Sequence, residues 1–203
     1  MQNGVDNVEQ IQKAARISVL PAVVYVAASI PEAGRVKHVG RGDLVIGPEN
    51  EKTRWVTAVF SRANIPCRIS ENIEGELWTK LVWNCALNAV SALGHAKYGK
   101  ITASSDAWKV VESVVYEVLA VAHAAKISPP GLEDPKVALA GALKIATQMS
   151  EALSSTAQDM SRGRRTEIDS LNGYVARRGA ELGVPTPVNQ ALFALVKLAE
   201  GRV

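Results

Sequence analysis

The chain has 203 residues, enough for one large domain or two small ones with a genuine core. Its 47% hydrophobic and 21% charged residues are those of an ordinary globular protein. The net charge of +3 is scattered apart from Arg162, Arg164 and Arg165, which argues against the long basic face that nucleic acid requires. Two cysteines, Cys67 and Cys85, make no disulfide framework, and His38, His95 and His123 lack the spacing of a metal site.

In chain order, Gln2-Asn3-Gly4 reads as the end of a strand and its turn, and residues 5–15 as a short helix. Three β-rich runs follow, Ile17 to Ala27, Gly34 to Val39 and Asp43 to Ile46, punctuated by Pro31, Gly34, Gly40 and Gly42. Gly40-Arg41-Gly42 does not match G-x-G-x-x-G and reads as a hairpin turn. His38 beside it is a structural partner more readily than a catalyst. A helix is expected near 49–63, where Trp55, Val56, Val59, Phe60 and Ala63 recur at helical spacing, then a short strand at Cys67 to Ser70.

From residue 72 the periodicity predicts helices alone, near 72–97, 105–127, 135–153, 166–182 and 187–201. Thr166 with Asp169 three residues on fits a capping box; Gly183 fits a helix stop, and Thr186-Pro187 the next start. The longest apolar stretches, around 20–30 and 110–125, are too short or too interrupted to span a bilayer. No basic segment followed by an apolar run opens the chain, which points to a reducing, cytoplasmic setting without a membrane.

The helix near 72–97 carries the most informative pattern. Lys80, Asn84, Asn88 and Ser91 fall within ~80° of each other, while Leu81, Val82, Trp83, Cys85, Ala86, Leu87 and Val90 cover nearly all the rest. A helix apolar nearly all round is buried, so this stripe must face partners or a cavity. One cation and two amides suit a small polar substrate. The competing reading is a lysine whose stem packs while its head reaches water, beside two satisfied amides.

Other features divide in the same way. Gly94 to Lys100 matches G-x4-G-K, but Ile101 stands where a P-loop needs Ser or Thr and a helix precedes it, so a helix-ending turn fits better. Glu167, at the start of a helix, is either an ordinary first-turn acid or a carboxylate aimed into a cleft. Ser154, Ser155 and Thr156 lie in a loop or helix start, where small hydroxyls bind a carboxylate or cap a helix.

Taken together and in order, these blocks resemble the ketopantoate reductase family: Gln2-Asn3-Gly4; the stretch from Gly34 to Gly47; the lysine and two asparagines of 77–88; Ser154-Ser155; Thr166-Glu167-Ile168-Asp169 through Gly173; and 183–189. The resemblance implies the end of a Rossmann-type α/β domain over 1–70 and an all-helical substrate domain over 71–203, mostly helical overall. It implies NADPH-dependent reduction of a 2-keto acid, 2-dehydropantoate, in pantothenate biosynthesis. Lys80 would protonate the keto oxygen, because an ammonium stabilises the developing alkoxide and then protonates it. Asn84 and Asn88 would hold substrate oxygens and Ser155 the substrate carboxylate. Glu167 would lie near the substrate hydroxyl and the cofactor and hold Lys80, and Asn3 would lie where nicotinamide and substrate meet. The family's G-x-G-x-x-G and its 2′-phosphate-selecting basic residue have no counterpart in these 203 residues, so the chain reads as a truncated form or a piece of a longer protein. The alternative is a non-catalytic helical ligand-binding or dimerisation module, and the apolar helices are able to bury a homodimer interface.

Overall fold

The computed structural model describes residues 3–201, and the side chains of all of these except 27, 29–31 and 39. Gln2 of the first motif lies outside the described residues. The chain forms two compact units: Val8–Leu77, and Trp78 onward together with the short segment that ends at Asn7.

The first unit holds most of helix α1 (Asn7–Ala15) and a three-stranded sheet in the order β1 (Ala22–Glu32), β2 (Arg35–Ile46), β3 (Cys67–Ile69). β1 and β2 pair antiparallel from Ala22–Ile46 to Glu32–Arg35, and β3 runs parallel to the end of β2. Val23 and Val45, paired across β1 and β2, are buried with Ile73 on one face of the sheet, and Leu44 and Ile46 are buried on the other. Helix α2 (Glu51–Arg62) starts on a reciprocal cap: Asn50 accepts from the Thr53 N–H (3.1 Å) and the Thr53 hydroxyl from the Asn50 N–H (2.8 Å).

Two expectations are corrected in this unit. Gly40-Arg41-Gly42 is no turn; it lies inside β2 at a bulge, where the partners step from Tyr25–Asp43 to Val26–Arg41 and Arg41 takes a φ of +51°. Arg41 is held there by stacking 3.8 Å over Tyr25 and by two bonds to Asp43. The turn is at Ala33-Gly34, where Gly34 has a φ of +80°. β1 begins at Ala22, not Ile17, and continues through Pro31, a residue that an edge strand tolerates. On α2 the apolar spacing makes no core, since Trp55 is 68% and Val59 42% exposed.

Helix α3 (Ile73–Leu93) begins in the first unit and continues into the second. Leu81, Val82, Cys85, Ala86 and Leu87 of the expected apolar set are buried, joined by Trp78 and Ala89, while Trp83 and Val90 are half-buried. Around it lie α4 (Tyr98–Ala103), α5 (Ser105–Ala124), α6 (Pro135–Gln148), α7 (Ser155–Ser161), α8 (Asn172–Leu182) and α9 (Pro187–Ala199), with a 3-10 turn at Ile168–Ser170. α5 contributes Val111, Val114, Val115, Val118 and Val121, and α6 the small Ala138, Ala142 and Ala146. Burying each such valine contributes about 1.5–3 kcal/mol. Gly141 on α6 makes room for the Trp83 ring, which a Cβ would meet at 3.0 Å, and Trp83 Nε1 donates to the Ala138 carbonyl (3.2 Å).

The 166–182 helix divides into the 3-10 turn and α8, and the Thr166–Asp169 box does not form. Thr166 N–H instead donates to Glu200 (2.7 Å), and Asp169 receives Arg165 and Lys197. α3 ends at Leu93 rather than 97, α6 at Gln148 rather than 153, and α4 and α7 occupy stretches the periodicity leaves without helices. Gly183 closes α8 with a φ of +69° and Pro187 opens α9. Thr186 makes no side-chain cap there; Glu117 on α5 caps α9 instead, accepting from the N–H groups of Val188 (2.9 Å) and Asn189 (2.9 Å) and from Asn189 Nδ2 (2.8 Å). Asn172 Nδ2 extends this network to Asn189 Oδ1 (2.9 Å) and the Cys85 carbonyl of α3 (3.1 Å).

Candidate active site

The polar stripe on α3 divides in two. Lys80 and Asn84, in its middle, are half-buried, whereas Asn88 is 4% exposed and Ser91 fully buried. The Ser91 hydroxyl donates to the Ala96 carbonyl (2.7 Å) and accepts the Ser154 N–H (3.1 Å). Ser91 therefore faces partners and no cavity. Asn88 Oδ1 accepts the Tyr98 hydroxyl (3.2 Å), and the Asn88 carbonyl accepts the Ser154 hydroxyl (3.0 Å).

Ser154 also caps α7, its oxygen accepting the Ala157 N–H at 3.0 Å. Its two roles hold the start of α7 against Asn88, with exposed Ser155 as the first helical residue. Asp159 lies one turn on from Ser155, on the same face of α7. Partial burial raises its carboxyl above the ordinary range, and the negative charge of Glu167 raises it further; Arg164 and Arg162 oppose both. Two carboxylates and a basic loop thus share one region.

Glu167 precedes the 3-10 turn, not the first turn of an α-helix, and is half-buried. Its two oxygens accept the backbone N–H of Asn3 (3.0 Å) and Asn3 Nδ2 (2.7 Å). Asn7 Nδ2 fastens the same segment by donating to the Asn3 carbonyl (2.9 Å). Gly4, with a φ of +110°, lies so near Ser170 that a Cβ would approach the serine Cβ to 2.7 Å. This fork leaves Asn3 Oδ1 as an acceptor and a second lone pair on each Glu167 oxygen.

The second unit therefore joins Asn3 to Glu167, Asn88 to the start of α7, and Asp159 electrostatically to Glu167. Lys80 and Asn84 stand two turns and one turn before Asn88 on the same face of α3. Tyr98 was legible in the sequence only as part of a turn. His38 is exposed on β2, and Gly94–Ala96 closes α3, with Ala96 N–H bonded to the Ser91 carbonyl (3.0 Å). Among the described residues no group of three His, Cys, Asp or Glu could hold a metal ion, and no helix is long and apolar enough to cross a membrane.

Residues 72–200 match the family model described as "Ketopantoate reductase PanE/ApbA C terminal", and residues 1–51 match "Ketopantoate reductase PanE/ApbA". The chain belongs to the ketopantoate reductase family. Within this oxidoreductase family it is 38% identical to the 2-dehydropantoate 2-reductase of Pyrobaculum aerophilum, over 98% of this chain and 68% of that protein. With the Vibrio cholerae enzyme of that name it shares 32%, over 98% of this chain and 67% of the relative. A PanE/ApbA family ketopantoate reductase structure from Ralstonia eutropha JMP134 superposes with a TM-score of 0.90 at 42% identity, covering 100% of this chain and 66% of that one. A D-mandelate dehydrogenase solved with NADH and anilino(oxo)acetate gives 0.87 at 25%, covering 98% and 66%. The chain thus spans about two thirds of the length of these ketopantoate reductases and their neighbours. Their architecture is a Rossmann-like N-terminal domain followed by a helical one.

Proposed function

We propose that this protein reduces a 2-keto acid with NADPH, 2-dehydropantoate to pantoate being the reaction, in the cytoplasm, as a step of pantothenate biosynthesis. The observation that carries the reading is the two-bond grip of Glu167 on Asn3, which unites two family motifs 164 residues apart. The names of the relatives support the substrate.

In this reading Lys80 donates the proton that the keto oxygen takes up, its ammonium stabilising the alkoxide as it forms. Asn84 and Asn88 donate to substrate oxygens, and the Ser155 hydroxyl to the substrate carboxylate. Glu167 uses its free lone pairs to receive the product hydroxyl and to orient Lys80, while Asn3 Oδ1 receives an N–H such as a nicotinamide carboxamide offers. When bound, the cofactor supplies the hydride. The residues present fit its nicotinamide end. The phosphate end needs a glycine-rich turn, for which these 203 residues hold no G-x-G-x-x-G, so residues 1–70 are read as the closing part of a nucleotide-binding domain.

The test is turnover by the protein as its source makes it, with its intact mass recorded. 2-Dehydropantoate and an aromatic 2-keto acid are each offered with NADPH and with NADH. The proposal predicts the highest kcat/KM for 2-dehydropantoate with NADPH. Preference for the aromatic acid moves the substrate within the class. Failure to oxidise either nucleotide with any 2-keto acid overturns catalysis and leaves a binding module.

A further inference from the structure

Resting on that reading, we infer that Tyr98 is a positioning residue: its hydroxyl fixes the Asn88 side chain so that the amide offers N–H donors, not its carbonyl, to the substrate. Tyr98 is 7% and Asn88 4% exposed, and the hydroxyl lies 3.2 Å from Asn88 Oδ1. A primary amide rotated by 180° exchanges a donor face for an acceptor face at nearly unchanged shape. A keto acid offers oxygens that only accept, so the donor face is the productive one. A buried phenol O–H needs an acceptor, and Oδ1 is the partner it has here. Rotating the amide would set Nδ2, itself a donor, against the hydroxyl and cost that bond.

The phenol is anchored well enough to impose this choice. Tyr98 N–H donates to the Ala152 carbonyl (3.0 Å) and Gly99 N–H to the Ser150 carbonyl (2.9 Å), which locks α4 onto the segment leading to Ser154. Gly99 eases that approach, because a Cβ would lie a tight 3.2 Å from the Ser150 carbonyl oxygen. The Asn88 backbone is held independently through Ser154. Burial pushes the Tyr98 hydroxyl up to about 12, so it stays protonated, and able to donate, across the physiological range. Among the described residues Nδ2 of Asn88 has no protein acceptor, so its hydrogens remain for a ligand.

The experiment is a double-mutant cycle in the natural protein with Tyr98→Phe, Asn88→Ala and both together, reading KM for the keto acid and KM for the nucleotide. Tyr98→Phe is expected to raise the keto acid KM on the order of tenfold, with the nucleotide KM unchanged and no further rise in the Asn88→Ala background. An unchanged keto acid KM in Tyr98→Phe overturns the inference, as does an effect that adds in full to that of Asn88→Ala. If Asn88→Ala itself leaves the keto acid KM unchanged in an active enzyme, the assignment of Asn88 to the substrate is what has failed. Should Tyr98→Phe not fold, the Asn88 side-chain amide signals of the wild-type protein decide the question. They should shift when the 2-hydroxy acid product is added, and unmoved signals overturn the inference.

Discussion

Glutamine in place of Glu167 keeps the shape of the side chain and removes its charge. Asn3 presents two donors to the two carboxylate oxygens, at 3.0 and 2.7 Å. A carboxamide has one oxygen and one NH2 group, so one Asn3 donor would face another donor, and the surviving bond would lose its charge. Bonds to a charged group contribute about 1.5–3 kcal/mol and neutral ones about 0.5–1.5, so at this half-buried site the loss should be about 2 kcal/mol. That corresponds to roughly a thirtyfold rise in local opening of the segment from Asn3 to Asn7. Hydrogen exchange of that segment in Glu167→Gln reads it directly, against helices α5 and α9 as internal references. The same substitution removes the repulsion on Asp159, so the Asp159 carboxyl should titrate at a lower pH than in the wild type. Unchanged exchange at 3–7 would refute the claim that the carboxylate grips Asn3.

Three further outcomes follow from the same structure. Glu117→Ala leaves the first turn of α9 without its carboxylate cap and should cost about 3 kcal/mol, a fall in Tm of roughly 6–12 °C; a fall under 2 °C would contradict the capping role. Burial raises the Cys85 thiol, so an alkylating reagent should modify half-buried Cys67 in the native protein and reach Cys85 only after unfolding, as mass spectrometry of the labelled peptides would show. Burial raises the Asp169 carboxyl, but hydrogen bonds from Lys197 and Arg165 outweigh it and hold the group below 3.8. The stability this brings is complete above that value and is lost as pH falls through the depressed one. Lys197→Met should therefore flatten the acid limb of the stability curve, and an unaltered limb would exclude this pair as a cause.

The sequence shows the second unit more clearly than the first. The apolar run of α3 is 21 residues long, so its period is unmistakable and both its burial and its polar face are legible. α4 and α7, with six and seven residues, complete less than two full turns each and leave no periodic trace above the noise of a loop. The Gly40–Gly42 stretch carries turn chemistry but lies in a strand, because the Arg41 ion pair with Asp43 and its stack on Tyr25 stabilise a bulge. The cap of α9 could not be read locally, since Glu117 is 71 residues from Val188.

The site divides along the same line. The helical spacing of Lys80, Asn84 and Asn88 is local information. The Glu167–Asn3 grip joins positions 164 residues apart, and only family resemblance suggested that they meet. Ser91 fits the stripe by angle, yet it serves as a buried strut between Ala96 and Ser154, which angle alone does not distinguish from a substrate contact.

The most direct test of the account is the turnover of Lys80→Ala in the natural protein, measured beside its NADPH dissociation constant. A general acid contributes typically 10²–10⁴-fold, so kcat should fall by at least a hundredfold while NADPH affinity stays within about twofold of the wild type. Turnover near the wild-type value would contradict the account, because the proton would then come from another group and the α3 stripe would not be the catalytic face.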